Sequence, residues 1–211
     1  MNSTRPAPSD APVTGADVEQ RYSPRAQSTR RAVLDAAGAV FAEKGYEASS
    51  IAELVERSGI SVGSIYHHFG GKAEVFGALY DEFYHRQRRR TEEGSARARE
   101  AGETDTLAIY LAGARAYLDG CWRDREQTRL FHAMEGPPGL WRARQERVTA
   151  WVRTNIDELD SASLPHGDSL AHAVTAVVLA CAIELTEVDS PTAAEELIEY
   201  FLGLIARVAA P

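Results

Sequence analysis

From Ala26 onward the apolar residues recur at helical spacing rather than in strict alternation. Val33, Ala36, Ala37, Val40 and Phe41 fall on one face of a helix predicted over Ala26–Lys44. Gly45 follows and suits the left-handed residue beyond a helix end. Ser50-Ile51-Ala52-Glu53 is a capping box, so a second helix is predicted from Ser50 to near Ser58. Gly59 permits a sharp turn, and Ser61 caps a short third helix over Val62–His68. Gly70-Gly71 breaks the chain again before a longer helix from Lys72 to about Arg90. Further helices are predicted over Thr106–Cys121, Asp124–Met134, Leu140–Leu159, Ser169–Val188 and Pro191–Val208. Gly136-Pro137-Pro138-Gly139 is a clear break, Ser161–Asp168 reads as a loop, and Pro191 suits a first helical turn. No run of alternating β-branched residues and no internal repeat emerges, so the expected class is all-α.

Charge changes this picture. The 211 residues carry a net charge of −8, unevenly spread. Residues 1–20 are net −2, residues 21–90 net +3 and residues 91–211 net −9. A mildly basic front and an acidic back imply two jobs, with only the front able to face a polyanion. Residues 1–22, with Pro6, Pro8 and Pro12 among small polar residues, read as a disordered tail. Apolar residues at 44% are enough for a core. The two cysteines, Cys121 and Cys181, are too few for a disulfide framework and read as buried free thiols. The longest apolar stretch, Ala173–Ile183, falls short of the roughly 20 residues that span a bilayer. The first 20 residues lack the apolar centre of an export signal, so the expected location is cytoplasmic and away from membranes.

The informative segment is SIAELVERSGISVGSIYHHFGGK, residues 50–72. Two short helices joined by a glycine turn make a helix-turn-helix. Ile51, Leu54, Ile60 and Ile65 are placed to pack the pair onto the first helix. The second helix then stands outward, where its N-terminal part fits a major groove. Its remaining residues, Ser61, Val62, Gly63, Ser64, Tyr66, His67 and His68, are small or hydrogen-bonding. Adjacent histidines on a helix point about 100° apart, so His67 and His68 do not share a metal ion; neither a metal nor a cofactor is implied.

Residues 29–76 resemble the DNA-binding domain of the TetR family of transcriptional regulators. The resemblance rests on FAEKGY, then SGISVGSIYHHF, then GK opening a longer helix. It implies a three-helix DNA-binding domain over residues 23–71 and a helical ligand-binding and dimerisation domain over 72–211, with 72–90 as the linking helix. It implies phosphate contacts at Ser50 and Lys72 and groove contacts from Ser64, Tyr66 and His68. Gly63 allows close backbone approach, and His67 is a further candidate. Ala52 and Val62 depart from the Arg and the Lys or Gln common in the family, and Val55 replaces a small Ala. Readout is therefore expected to lean on Tyr66, Ser64, thymine-methyl contact by Val62 and DNA shape. Arg21, Arg25, Arg30 and Arg31 form a basic arm that either touches phosphate or the minor groove or is a solvated helix start. Arg86, Arg88, Arg89 and Arg90 read as solvated charge.

The back half concentrates large aromatics. Tyr110, Tyr117, Trp122, Phe131, Met134, Trp141 and Trp151 are candidates either for a ligand cavity or for plain core, with His132, His172 and Glu184 as polar candidates to orient a small-molecule effector. The final two helices are expected to form a homodimer through Ala173, Val177 and Ala180 on one and Leu197, Phe201, Leu202 and Ile205 on the other. A palindromic duplex operator follows from that symmetry. The expected function is a repressor released by its effector; the alternatives are a ligand-independent helical DNA-binding or protein-interaction module, or a small all-α enzyme. No nucleophile elbow, phosphate loop or dinucleotide fingerprint supports the enzyme.

Overall fold

The computed structural model describes residues 23–132, 136–159 and 166–209. Among these residues there is no β-strand; nine α-helices follow one another. We number them α1 (Pro24–Lys44), α2 (Ile51–Ser58), α3 (Val62–His68), α4 (Lys72–Glu100), α5 (Thr106–Arg123), α6 (Arg125–His132), α7 (Leu140–Glu158), α8 (Gly167–Glu184) and α9 (Pro191–Ala209). A 3₁₀ turn, Leu185–Glu187, follows α8. The expected disordered tail over residues 1–22, with Arg21, and the candidate Met134 lie outside the described residues.

The short helices end where their caps dictate. Ser50 accepts from the Glu53 amide at 3.3 Å, while the Glu53 carboxylate accepts from the Ser50 amide at 2.8 Å. Gly59 closes α2 in the left-handed region at φ 69°. The Ser61 hydroxyl caps α3 by accepting from Ser64 N at 3.3 Å.

Helix α4 runs ten residues beyond its predicted end at Arg90. Gly94 and Ser95 are buried in this extension. A Cβ at Gly94 would lie 2.7 Å from both the Ala112 carbonyl and the Ala116 methyl, and the Ser95 hydroxyl donates to Ile109 O at 3.3 Å. Small residues let α4 and α5 approach closely, and burial of that seam outweighs local propensity. The arginines of α4 divide accordingly. Arg88 and Arg89 pair with Glu92 and Glu93 on the exposed face. Arg86 and Arg90 are half-buried and both grip Asp124, at 2.9 and 2.8 Å, so they are structural rather than solvated.

Two apolar clusters form. One joins Val33, Phe41, Leu54 and Ile65 of the first three helices to Val75, Phe76, Tyr80 and Phe83 of α4 and to Phe131 of α6. The other joins Tyr110, Tyr117 and Cys121 of α5 to Val174, Val178 and Cys181 of α8 and Ile198, Phe201, Leu202 and Ile205 of α9. Cys121 and Cys181 are buried free thiols, both pushed up to about 12 by burial. Gly167–Glu187 is long and apolar enough, by length and composition, to cross a membrane, a span longer than the run Ala173–Ile183 suggests. Here its face bearing Val174, Val178, Cys181 and Ala182 is packed in the second cluster.

Candidate nucleic-acid interface and adjoining cavity

Helix α3 is anchored through a single fully buried residue, Ile65. Ser61, Val62, Gly63, Tyr66 and His67 are exposed, and Ser64 and His68 are half-buried. Val62 and Tyr66 are 48% and 52% exposed, so α3 presents apolar as well as polar groups outward. Most of the predicted recognition residues therefore share one outward surface. His68 is held below its ordinary pKa by burial, then by His67 and Arg30, so at neutral pH it offers hydrogen bonds rather than charge.

Three other predicted contacts are engaged within the chain. The Lys72 ammonium donates to the carbonyls of Tyr46 and Ser49 at 2.8 and 2.9 Å and lies 4.2 Å from the Tyr46 ring centre. It ties the α1–α2 loop to the start of α4 rather than standing free for phosphate. Arg30 donates to His68 O at 2.6 Å and covers the Phe69 ring at 4.2 Å. That places a cation on the carbonyl end of α3, where the helix dipole favours it. The Ser50 hydroxyl donates to Glu53 at 2.9 Å, and Lys44 pairs with the same carboxylate. These contacts set the attitude of α2 and α3, so the three residues position the reading surface.

A cavity of about 240 Å³ lies behind this head. Of the predicted ligand residues, Tyr117, Phe131, His132 and Trp151 line it. Tyr117 and Trp151 meet edge to face at 4.5 Å. Phe131 also sits among Phe76, Tyr80 and Phe83, with ring centres 5.5, 5.2 and 5.1 Å away. His132 is pushed below its ordinary pKa by burial, though its Nδ1 shares a 2.8 Å hydrogen bond with Thr128 O. The carbonyl must accept, so Nδ1 carries the proton and Nε2 remains an acceptor.

The other candidates sit elsewhere. Trp141 is 67% exposed, His172 is exposed and bonds back to Asp168 O, and Glu184 is exposed on α8. Trp122 packs against the α5–α8–α9 cluster. Reading the sequence also missed the wall supplied by α4: Tyr80, Phe83, Tyr84, Gln87 and Thr91. Their signal was a helical stripe continuing from Phe76, obscured by the arginines between them.

The expected dimer residues split in the same way. Phe201, Leu202 and Ile205 are 8%, 7% and 0% exposed, buried inside their own chain. Positions 197–208 carry apolar residues around more than half the helix, so one apparent stripe is really two faces. Ala173 and Ala180 are exposed and Val177 and Leu197 half-buried. Ile183, Tyr200 and Val208 are 49%, 60% and 52% exposed and extend this outward apolar face; of the three, the sequence reading overlooked Tyr200.

The fold and surface together define a helix-turn-helix DNA-binding protein whose reading helix is joined by one long helix to an internal cavity. Residues 33–79 match the family model described as bacterial regulatory proteins, tetR family. The chain is 29% identical over 193 residues to the HTH-type transcriptional regulator TtgR of Pseudomonas putida, covering 89% of this chain and 83% of that one. It is 44% identical over 55 residues to the HTH-type transcriptional repressor AcnR of Corynebacterium efficiens, a match spanning 29% of that protein. A TetR-family regulator from Syntrophomonas wolfei superposes with a TM-score of 0.70 at 16% identity, over 87% of this chain and 95% of that one. Residues 33–79 thus match a tetR-family DNA-binding segment, and the chain over most of its length is similar to DNA-binding transcriptional regulators of that family.

Proposed function

We propose that the protein is a cytoplasmic repressor that binds a palindromic operator as a homodimer and lets go when a small molecule fills the cavity. One observation carries this reading: α4 starts at Lys72, clamped to the DNA-binding head, and also forms a wall of the cavity through Tyr80, Phe83, Tyr84 and Gln87. A ligand that prefers a different packing of that wall tilts the helix and the head with it. The ligand must bind the two states with different affinity, since equal affinity shifts nothing. Residues 23–71 serve as the reading head and 72–211 as the sensing and pairing part. Ser61, Val62, Gly63, Ser64, Tyr66 and His67 face the groove, with His68 adding a neutral hydrogen bond at the helix end.

Pairing follows from the outward face of α8 and α9, where Ala173, Val177, Ala180, Ile183, Tyr200 and Val208 meet their symmetry mates. Two such helices from each chain form a four-helix contact and set the recognition helices one duplex turn apart, about 34–36 Å. The test is selection of bound sequences from random duplexes, followed by mobility-shift titration across a salt series. A palindrome bound with a steep salt dependence supports the reading. Binding without sequence preference, or a single asymmetric half-site, refutes it.

A further inference from the structure

The cavity carries a chemical preference that its aromatic walls alone do not set. Gln87 is 3% exposed, and its Nε2 finds no acceptor among the described residues. Its orientation is fixed from behind: Arg90, itself held by Asp124 at 2.8 Å, donates to Gln87 Oε1 at 3.3 Å. A guanidinium only donates, so the amide oxygen faces Arg90 and the NH₂ group is the free side. The Arg147 guanidinium lies 4.3 and 4.5 Å from the Tyr80 and Tyr84 ring centres, with Nη2 on Asp81. Its Nη1 is buried without an acceptor at hydrogen-bonding geometry. Buried donors are ordinarily satisfied, and both of these residues line one cavity.

Three guanidinium groups border it: Arg88 at its exposed rim, paired with Glu92 at 3.2 Å, Arg147, paired with Asp81, and Arg144. Tyr80, Phe83, Tyr84, Tyr117, Phe131 and Trp151 supply flat apolar faces. The volume, about 240 Å³, lies below the ~300–1,000 Å³ of pockets for drug-sized ligands.

We propose that this cavity takes a compact one- or two-ring aromatic anion, whose oxygen accepts hydrogen bonds from Gln87 Nε2 and Arg147 Nη1 while its rings lie among the aromatic walls. The inference rests on the effector-cavity reading above. It makes Gln87 a specificity-determining residue, because an aromatic molecule lacking the oxygen leaves both donors unpaired.

Calorimetric titration of the full chain with 2-naphthoate, and separately with 2-methylnaphthalene, tests it. The expected result is at least tenfold tighter binding of 2-naphthoate. Gln87→Leu erases that preference without weakening 2-methylnaphthalene. Gln87→Glu, which keeps an oxygen toward Arg90, weakens 2-naphthoate further still; thermal melts confirm that each variant is folded. Equal binding of the two probes, or a preference that survives in folded Gln87→Leu, overturns the polar anchor and leaves the cavity reading standing. If neither probe binds, the effector-cavity reading falls and takes this inference with it.

Discussion

Replacing Lys72 by Met separates two roles that the sequence alone leaves entangled. The ammonium makes two short hydrogen bonds to loop carbonyls and sits against the Tyr46 ring. Hydrogen bonds to charged groups contribute about 1.5–3 kcal/mol each, and an exposed cation–π contact about 0.5–1 kcal/mol. The site is half-exposed, so water recovers part of the loss at the carbonyls. A net cost near 3 kcal/mol is expected, which for a chain of this size lowers Tm by roughly 6–12 °C. Methionine keeps most of the aliphatic packing, so the loss reports the ammonium. Operator affinity falls as well, because the loop that carries Ser50 loosens and α2 with it. The slope of affinity against salt stays unchanged, since no phosphate contact is removed. Differential scanning calorimetry and mobility shifts at several salt concentrations read both quantities. If Tm holds and the salt slope drops by about one, Lys72 is a phosphate anchor and the clamp argument is wrong.

Other expectations are equally direct. Tyr66→Ala, at a 52% exposed position with Ile65 as the neighbouring anchor, is expected to cost about 1–3 kcal/mol of operator affinity with Tm unchanged. Tyr200→Glu should yield a folded monomer by analytical ultracentrifugation, whereas Phe201→Ser, inside the core, should lose several kcal/mol of stability. Gly113→Val places a Cβ 2.4 Å from the Ser95 hydroxyl and should lower stability by at least ~1–3 kcal/mol, measured by urea unfolding. His68, His85 and His132 are all held below their ordinary pKa, burial being the first cause at each. Protonation thus favours the unfolded chain, so stability is intact above the unfolded value near 6.5 and declines as pH falls through the lower folded values. A urea midpoint as high at pH 5 as at pH 7.5 contradicts this.

The reading head was legible because its information is local. The Ser50–Glu53 box, Gly59 and Ser61 each fix a boundary through contacts within a few residues, and α3 emerges over Val62–His68 as expected. The cavity was not, because α4, α5, α6, α7 and α8 converge on it from distant parts of the chain. An aromatic residue such as Trp141 looks the same in sequence as Trp151, yet only the second faces inward. The run Leu197–Val208 hid two faces for the same reason, since spacing alone does not say which neighbour each face meets. Arg30 and Lys72 show another limit of spacing. Basic residues beside a DNA-reading helix invite a phosphate contact, and the sequence alone does not reveal that each also donates to a backbone carbonyl of its own chain.

The aromatic knot of Phe76, Tyr80, Phe83 and Phe131 bears on how such regulators can be recombined. A graft that cuts the chain at residue 71 would strip this knot from Phe41 and Tyr46, whose rings pack 5.2 Å from Phe76, and leave the transplanted head without its floor. A head exchanged together with α4 through Phe83, and with Leu130 and Phe131 matched to it, keeps that floor whole. The natural seam for building hybrid sensors therefore lies three helical turns past the boundary that the sequence suggests.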